Sequence, residues 1–314
     1  MNLSLNSNAS ATQARLHLSR NNVNLQKSIA RLSSGKRVEK PSDDAGGMAV
    51  AMKLESQVMR SSAAMQNMLN AISLLEVQDG VLSNAGKIVD RMGELKGLYH
   101  DVMKNETDRE SYNKEFRDLQ VQLFEMSHIK FNGISLFAQT TPDGSPALFE
   151  GGSAEIHTMQ VLMNANGGSG PIASIHKALL LSALTVNAST LGSNTFQAGD
   201  QSTIFRFASE STDATGSDRV IGLGEVSVGV YSQALQNIAT LRAQNGASMS
   251  QLEYGYDNLT KEKNNLNAGR GRIEDVDMAS ESTRLSKYNI LVQASASMLA
   301  QANSLSEISL VLMR

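Results

Sequence analysis

A mainly α fold is what this sequence predicts: a long antiparallel helical bundle or coiled coil built from both chain termini, with a small β-containing insert in the middle. Three observations predict it. Residues 1–40 and 273–314 both carry Pro-free amphipathic patterns, the four prolines fall only at 41, 142, 146 and 171, and turn-forming clusters gather between residues 141 and 219. Proline inside a helix removes a donor and clashes with the preceding turn, so 42–141 and 172–314 are the stretches open to long helices.

At the first end Ala11, Leu18, Leu25 and Leu32 recur at seven-residue spacing, and Ile29 supplies the four-then-three step of a coiled-coil seam. Leu291, Met298, Leu305 and Leu312 repeat the spacing at the other end, with Tyr288 and Ala302 between. An isolated helix in water is marginal and gains stability by burying its apolar face, so each stripe needs a partner. Charge selects which partner. Arg15, Arg20, Lys27, Arg31, Lys36, Arg37 and Lys40 stand against Glu39 alone, a net +6, whereas residues 273–314 carry a net −2. Opposite signs flanking a seam favour that pairing.

Within 42–141, Met65, Met68, Ile72, Leu75 and Leu82 repeat at helical spacing and Leu95, Leu98 and Val102 continue it. Phe116, Leu119, Leu123 and Met126 form a second pattern, so two antiparallel helices joined around 105–110 are expected. The centre differs. Turn clusters at 142–144, 151–152 and 167–170, with alternation at Met159, Val161 and Met163 and at Phe205 and Phe207, predict strands in an outer insert. A long helix then resumes through Val230, Leu235, Ile238, Leu241, Leu252, Leu259 and Leu266, interrupted in pattern by Gly246 and Gly255.

Composition bounds the chemistry. Aromatics are 4%, tryptophan is absent and methionine numbers 15, so the chain packs on aliphatic seams rather than aromatic cores. A net charge of −3 and a basic segment without interleaved aromatics argue against nucleic acid. No apolar run is long enough for a membrane span, and residues 1–10 lack the basic-then-apolar order of a secretory signal. With no cysteine there is no disulfide, thiol nucleophile or thiolate metal site. The five histidines, His17, His100, His128, His157 and His176, never form the His-Glu-x-x-His pair of a zinc peptidase. Gly167-Gly168-Ser169-Gly170 lacks the Lys-Ser/Thr ending of a phosphate loop. No enzyme, cofactor or metal is expected. The hydroxyl-rich stretch 189–217 is a low-weight candidate for O-linked sugars.

Several motifs resemble those of bacterial flagellins. Arg31-Leu32-Ser33-Ser34-Gly35-Lys36-Arg37-Val38 with Asp43-Asp44-Ala45-Gly46-Gly47-Met48-Ala49 is similar to the family's N-terminal signature. Lys130-Phe131-Asn132-Gly133, Arg272-Ile273-Glu274-Asp275-Val276-Asp277, Ala300-Gln301-Ala302-Asn303 and the ending Leu312-Met313-Arg314 follow in the family's order. The resemblance covers roughly 1–140 and 220–314.

It implies a filament subunit of the bacterial flagellum, secreted by flagellar type III export with a chaperone. Its termini would be disordered in the monomer and paired on addition beneath the filament cap, above the hook-filament junction proteins. It also implies a division into a terminal coiled-coil filament core (1–40 and 273–314), a helical tube domain (41–140 and 220–272) and a solvent-facing insert (141–219). Leu18, Leu25, Ile29, Leu32, Leu291, Met298, Leu305 and Leu312 would line the self-assembly seam. Family members that activate a host Toll-like receptor use an arginine, a leucine and an acid that align with Arg91, Leu95 and Asp118. Gly93 replaces a second arginine and aspartate replaces glutamate, so recognition should be retained but reduced. Two rivals remain at this point: a hook-filament junction protein, which Pro41-Ser42-Asp43-Asp44 resembles, and a secreted helical adhesin or effector.

Overall fold

The computed structural model describes residues 8–138, 158–166, 170–187, 204–206 and 221–312, with the side chains of 158, 176, 181–182, 185–187, 204–206 and 305–312 outside that description. The candidate sugar sites at 189–217 therefore lie almost wholly outside the described residues, as does Phe207. The element order is α1 (Ala9–Ser34), α2 (Ala45–Tyr99), α3 (Glu106–Ser127), β1 (Lys130–Phe131), β2 (Ile134–Ser135), β3 (Thr158–Leu162), β4 (Ile172–His176), α4 (Leu180–Ala183), β5 (Thr185–Asn187), β6 (Ile204–Arg206), α5 (Val228–Glu274) and α6 (Met278–Leu312). The chain forms two compact units, residues 1–59 with 262–314 and residues 60–261.

In the first unit the terminal helices end where local chemistry ends them. Asn8 caps α1 by accepting from the Ala11 amide at 3.0 Å. Gly35 stops it six residues before Pro41, in the left-handed conformation (φ 72°) that a Cβ disfavours. Nothing lies within 4 Å of a Cβ built there, so Gly35→Ala carries only the conformational cost of about 1 kcal/mol. It is expected to lower the melting temperature of assembled protein slightly, measured by calorimetry. Helix α6 starts at Met278 because Asp277 Oδ1 accepts from the Ala279 and Ser280 amides at 3.0 and 3.3 Å. The helix expected from 273 is thus interrupted by a linker at 275–277.

The second unit is a helical bundle. Leu82, Val89, Met92 and Leu95 of α2, Phe116 and Leu123 of α3, and Tyr231, Ile238 and Leu241 of α5 share one buried cluster. An Asn105/Asp108 capping box opens α3 at the expected turn. After α3 the β1–β2 hairpin turns through Asn132 (φ 49°) and Gly133 (φ 79°), positive values that the Asn-Gly pair accepts readily.

Several described residues of the stretch expected as the insert are buried. Ala173 and Ile175 of β4 pack with Met68, Leu75, Leu252 and Leu259, while Leu179, Leu180 and Leu184 join the main cluster. Its strands form antiparallel pairs β3–β4 and β5–β6. Helix α5 runs unbroken through both glycines. Gly255 is buried, and a Cβ there would press on Met163 of the insert, so close approach favours glycine at that point. Lys96, 4% exposed, donates to the carbonyls of Leu223 and Gly224 at 2.9 and 3.1 Å, and burial pushes its pKa down.

Candidate functional site

The terminal helices pair antiparallel within the chain. Asn8 Nδ2 donates to the Ala302 carbonyl at 2.8 Å, Asn21 Nδ2 to Ser295 Oγ at 2.8 Å, and Ser28 Oγ to Glu281 Oε1 at 2.6 Å. The seam is therefore laced with short polar side chains. Ser28 and Glu281 are each 2% exposed, and the Glu281 carboxylate also faces Arg284 at 3.3 Å and Arg31 at 3.9 Å. A buried carboxylate is tolerated when it is paired and hydrogen-bonded in this way.

The expected seam residues divide. Leu18, Leu25, Leu32 and Leu291 are half-buried, whereas Ile29 and Met298 are 51% and 64% exposed. Leu305 and Leu312 lie on α6 with side chains outside the described residues. On α6 the intrachain contact runs through Glu281, Leu285, Tyr288, Val292, Ser295, Leu299 and Ala302, which at 100° per residue lies beside the Leu291–Met298 line. Of this line the sequence pattern placed Tyr288 and Ala302 between the heptad residues; Glu281 and Ser295, seven residues apart from them in the same series, are polar and carry no hydrophobic signal.

Beyond the helix ends the two motif segments join. The Val276 amide donates to the Gly35 carbonyl at 3.0 Å and the Arg37 amide to the Glu274 carbonyl at 2.6 Å, flanking a bridge between Lys36 and Asp275. Arg37 Nη2 donates to the Ile273 carbonyl at 2.7 Å, and Lys36 Nζ meets Glu274 Oε1 at 2.7 Å, which raises the lysine pKa. Lys27 pairs with Asp43, whose pKa falls through that hydrogen bond. The opposite charges of the two ends thus meet at specific pairs. The exposed ones contribute about 0–1 kcal/mol each, so the backbone bridge fixes the register.

The receptor-aligned residues lie on α2 and α3. Arg91 is exposed and pairs with Glu115 Oε1 at 2.8 Å and Glu94 Oε2 at 3.0 Å, both pushing its pKa upward, Glu115 most. The acid of α3 beside it is Glu115; Asp118 is exposed one turn further on. Leu95 is 0% exposed and belongs to the core cluster with Phe116. Gly93 lies against Tyr231, 3.9 Å from a built Cβ.

Among the described residues no group of three or more His, Asp or Glu side chains is placed to hold a metal, and no helix is long and apolar enough to cross a membrane.

Residues 5–141 match the family description "Bacterial flagellin N-terminal helical region" and residues 228–312 match "Bacterial flagellin C-terminal helical region". The chain is 30% identical over 307 residues to a flagellin of Listeria innocua, covering 96% of each. It is 30% identical over 311 residues to the flagellar filament 33 kDa core protein of Treponema phagedenis and over 328 residues to a flagellin of Bacillus subtilis, covering 99% of each chain in both cases. With both helical regions matched, and matched relatives spanning nearly its whole length, the chain belongs to the bacterial flagellin family.

Proposed function

We infer that the chain is a structural subunit that polymerises into the extracellular filament of the bacterial flagellum and so serves swimming motility; it is not an enzyme. One observation about its own residues carries the self-assembly reading. Pairing of α1 with α6 leaves Leu16 and Val23 49% and 60% exposed on the side of α1 opposite Leu25, and Ile290 66% exposed on the side of α6 opposite Leu299. A protein left with apolar surface on both sides of a helix pair gains by stacking it against copies of itself, and a head-to-tail contact that does not close grows a filament.

On this reading residues 1–40 and 273–314 form the filament core and 41–140 with 220–272 the surrounding tube. Residues 141–219 form the insert, whose buried stretch supports the tube. The terminal segments pair on assembly, after passage through the flagellar export apparatus with a chaperone, between the cap and the hook-filament junction proteins. The test is elongation of purified monomer from filament seeds, watched by electron microscopy. Long filaments are expected; short stubs that never extend would instead fit a junction protein, and folded monomers indifferent to seeds would fit an adhesin.

A Toll-like receptor contact is part of the proposal in amended form. Arg91 and Glu115 form its charged face, Leu95 supports that face from beneath, and Asp118 lies at its edge. Glu115→Gln is expected to lower potency in a receptor reporter assay more than Asp118→Asn does, and the reverse order would restore the aspartate as the contact.

A further inference from the structure

Methionine is the chain's habitual apolar filler, and the structure sorts it sharply by accessibility. In the unit formed by 60–261, Met68 and Met92 are 0% exposed, while Met103, in the turn between α2 and α3, is 88% exposed. In the other unit Met52 and Met59 lie seven residues apart on one face of α2 and are 64% and 63% exposed, while Met278 and Met298 of α6 are 53% and 64% exposed. These four thioethers are open to solvent in the single subunit. Ile29 and Ile290 of the same unit are also exposed, so this unit leaves apolar side chains uncovered on more than one side of its helices.

We propose that Met52, Met59, Met278 and Met298 are sites of reversible oxidation by hypohalous acids, and that their sulfoxides block addition of the subunit to the filament. In the step, hypochlorous acid transfers its oxygen to the thioether sulfur. Sulfur loses two electrons, chlorine gains them and leaves as chloride, and one proton is released to water. The product is a polar, chiral acceptor where an apolar chain stood. Buried against a neighbouring subunit without a donor, that oxygen opposes the contact which the thioether favours. The inference rests on the filament reading, because only a surface that a second copy covers would reject the sulfoxide.

The test treats full-length monomer with limiting hypochlorous acid, maps sulfoxides by peptide mass spectrometry, and measures elongation from untreated seeds. Sulfoxide is expected at these four positions and at the exposed Met103, with Met68 and Met92 still reduced, and elongation is expected to fall about tenfold or more. A pair of methionine sulfoxide reductases, one for each epimer, is expected to restore it. Treated protein carrying Met52→Leu, Met59→Leu, Met278→Leu and Met298→Leu is expected to elongate like its untreated form, since leucine keeps the apolar volume without the sulfur. Normal elongation of wild-type protein oxidised at all four positions would overturn the proposal. So would equal oxidation of Met68 and Met92 in folded protein. Untreated monomer that ignores seeds would overturn the filament reading and, with it, the assembly half of this proposal.

Discussion

Leu25→Asp is expected to abolish filament growth from seeds while leaving the unit formed by 60–261 folded. Leu25 lies half-buried on α1, one turn before Ser28 and its buried bond to Glu281. A carboxylate placed there adds a second negative charge to a seam that already holds Glu281, and burying it without a partner costs several kcal/mol. About 3 kcal/mol already corresponds to roughly a hundredfold weaker association. Leu25 belongs to the unit formed by 1–59 and 262–314, so the thermal melt of the other unit should be unchanged. The measurements are elongation by electron microscopy and a circular-dichroism melt of the same sample. Normal filaments would remove Leu25 from the seam, and a lowered melt would show that the two units stand or fall together.

Phe116→Ala is expected to have the largest effect on folding itself. The ring is 0% exposed, stacked edge-on to Tyr231 with centroids 6.4 Å apart, in the cluster that also holds Leu95. Removing it forfeits the transfer energy of the ring and opens a cavity, a loss of about 3–5 kcal/mol. For a unit of this size that is about 10 °C in melting temperature. A melt within a degree or two of wild type would contradict the packing described for this cluster.

Much of the helical architecture was legible because it rests on features that a one-dimensional pattern preserves. The heptads at both ends, the proline-free intervals and the Asn105 turn each have a local physical cause, and the helices follow them. What the pattern could not show was which face of a two-sided helix meets which partner. Leu18 and Leu25 stood out as leucines, but Ser28, Asn21 and Ser295 hold the same seam through hydrogen bonds that hydrophobic spacing does not register. The glycines of α5 misled for the opposite reason. Gly255 weakens a helix in isolation, yet its missing side chain makes room for Met163, a contact between residues far apart in sequence. The ion pair of Arg91 with Glu115 was not legible either, because only the packing of α2 against α3 puts Glu115 beside Arg91. The burial of Ala178, Leu179, Leu180, Ala183 and Leu184 was likewise set by tertiary contacts that glycine-rich flanks gave no hint of.

Hydrogen exchange on the backbone of α1 and α6 reads out whether this helix pair is the assembly element proposed above. Amides of 9–34 and 278–312 would be compared in free monomer and in filaments grown from seeds. The account expects fast exchange in the monomer and strong protection in the filament, with the amides of α3 and of the 228–261 stretch of α5 protected in both. Terminal amides already fully protected in the monomer, or still exchanging freely in the filament, would contradict it.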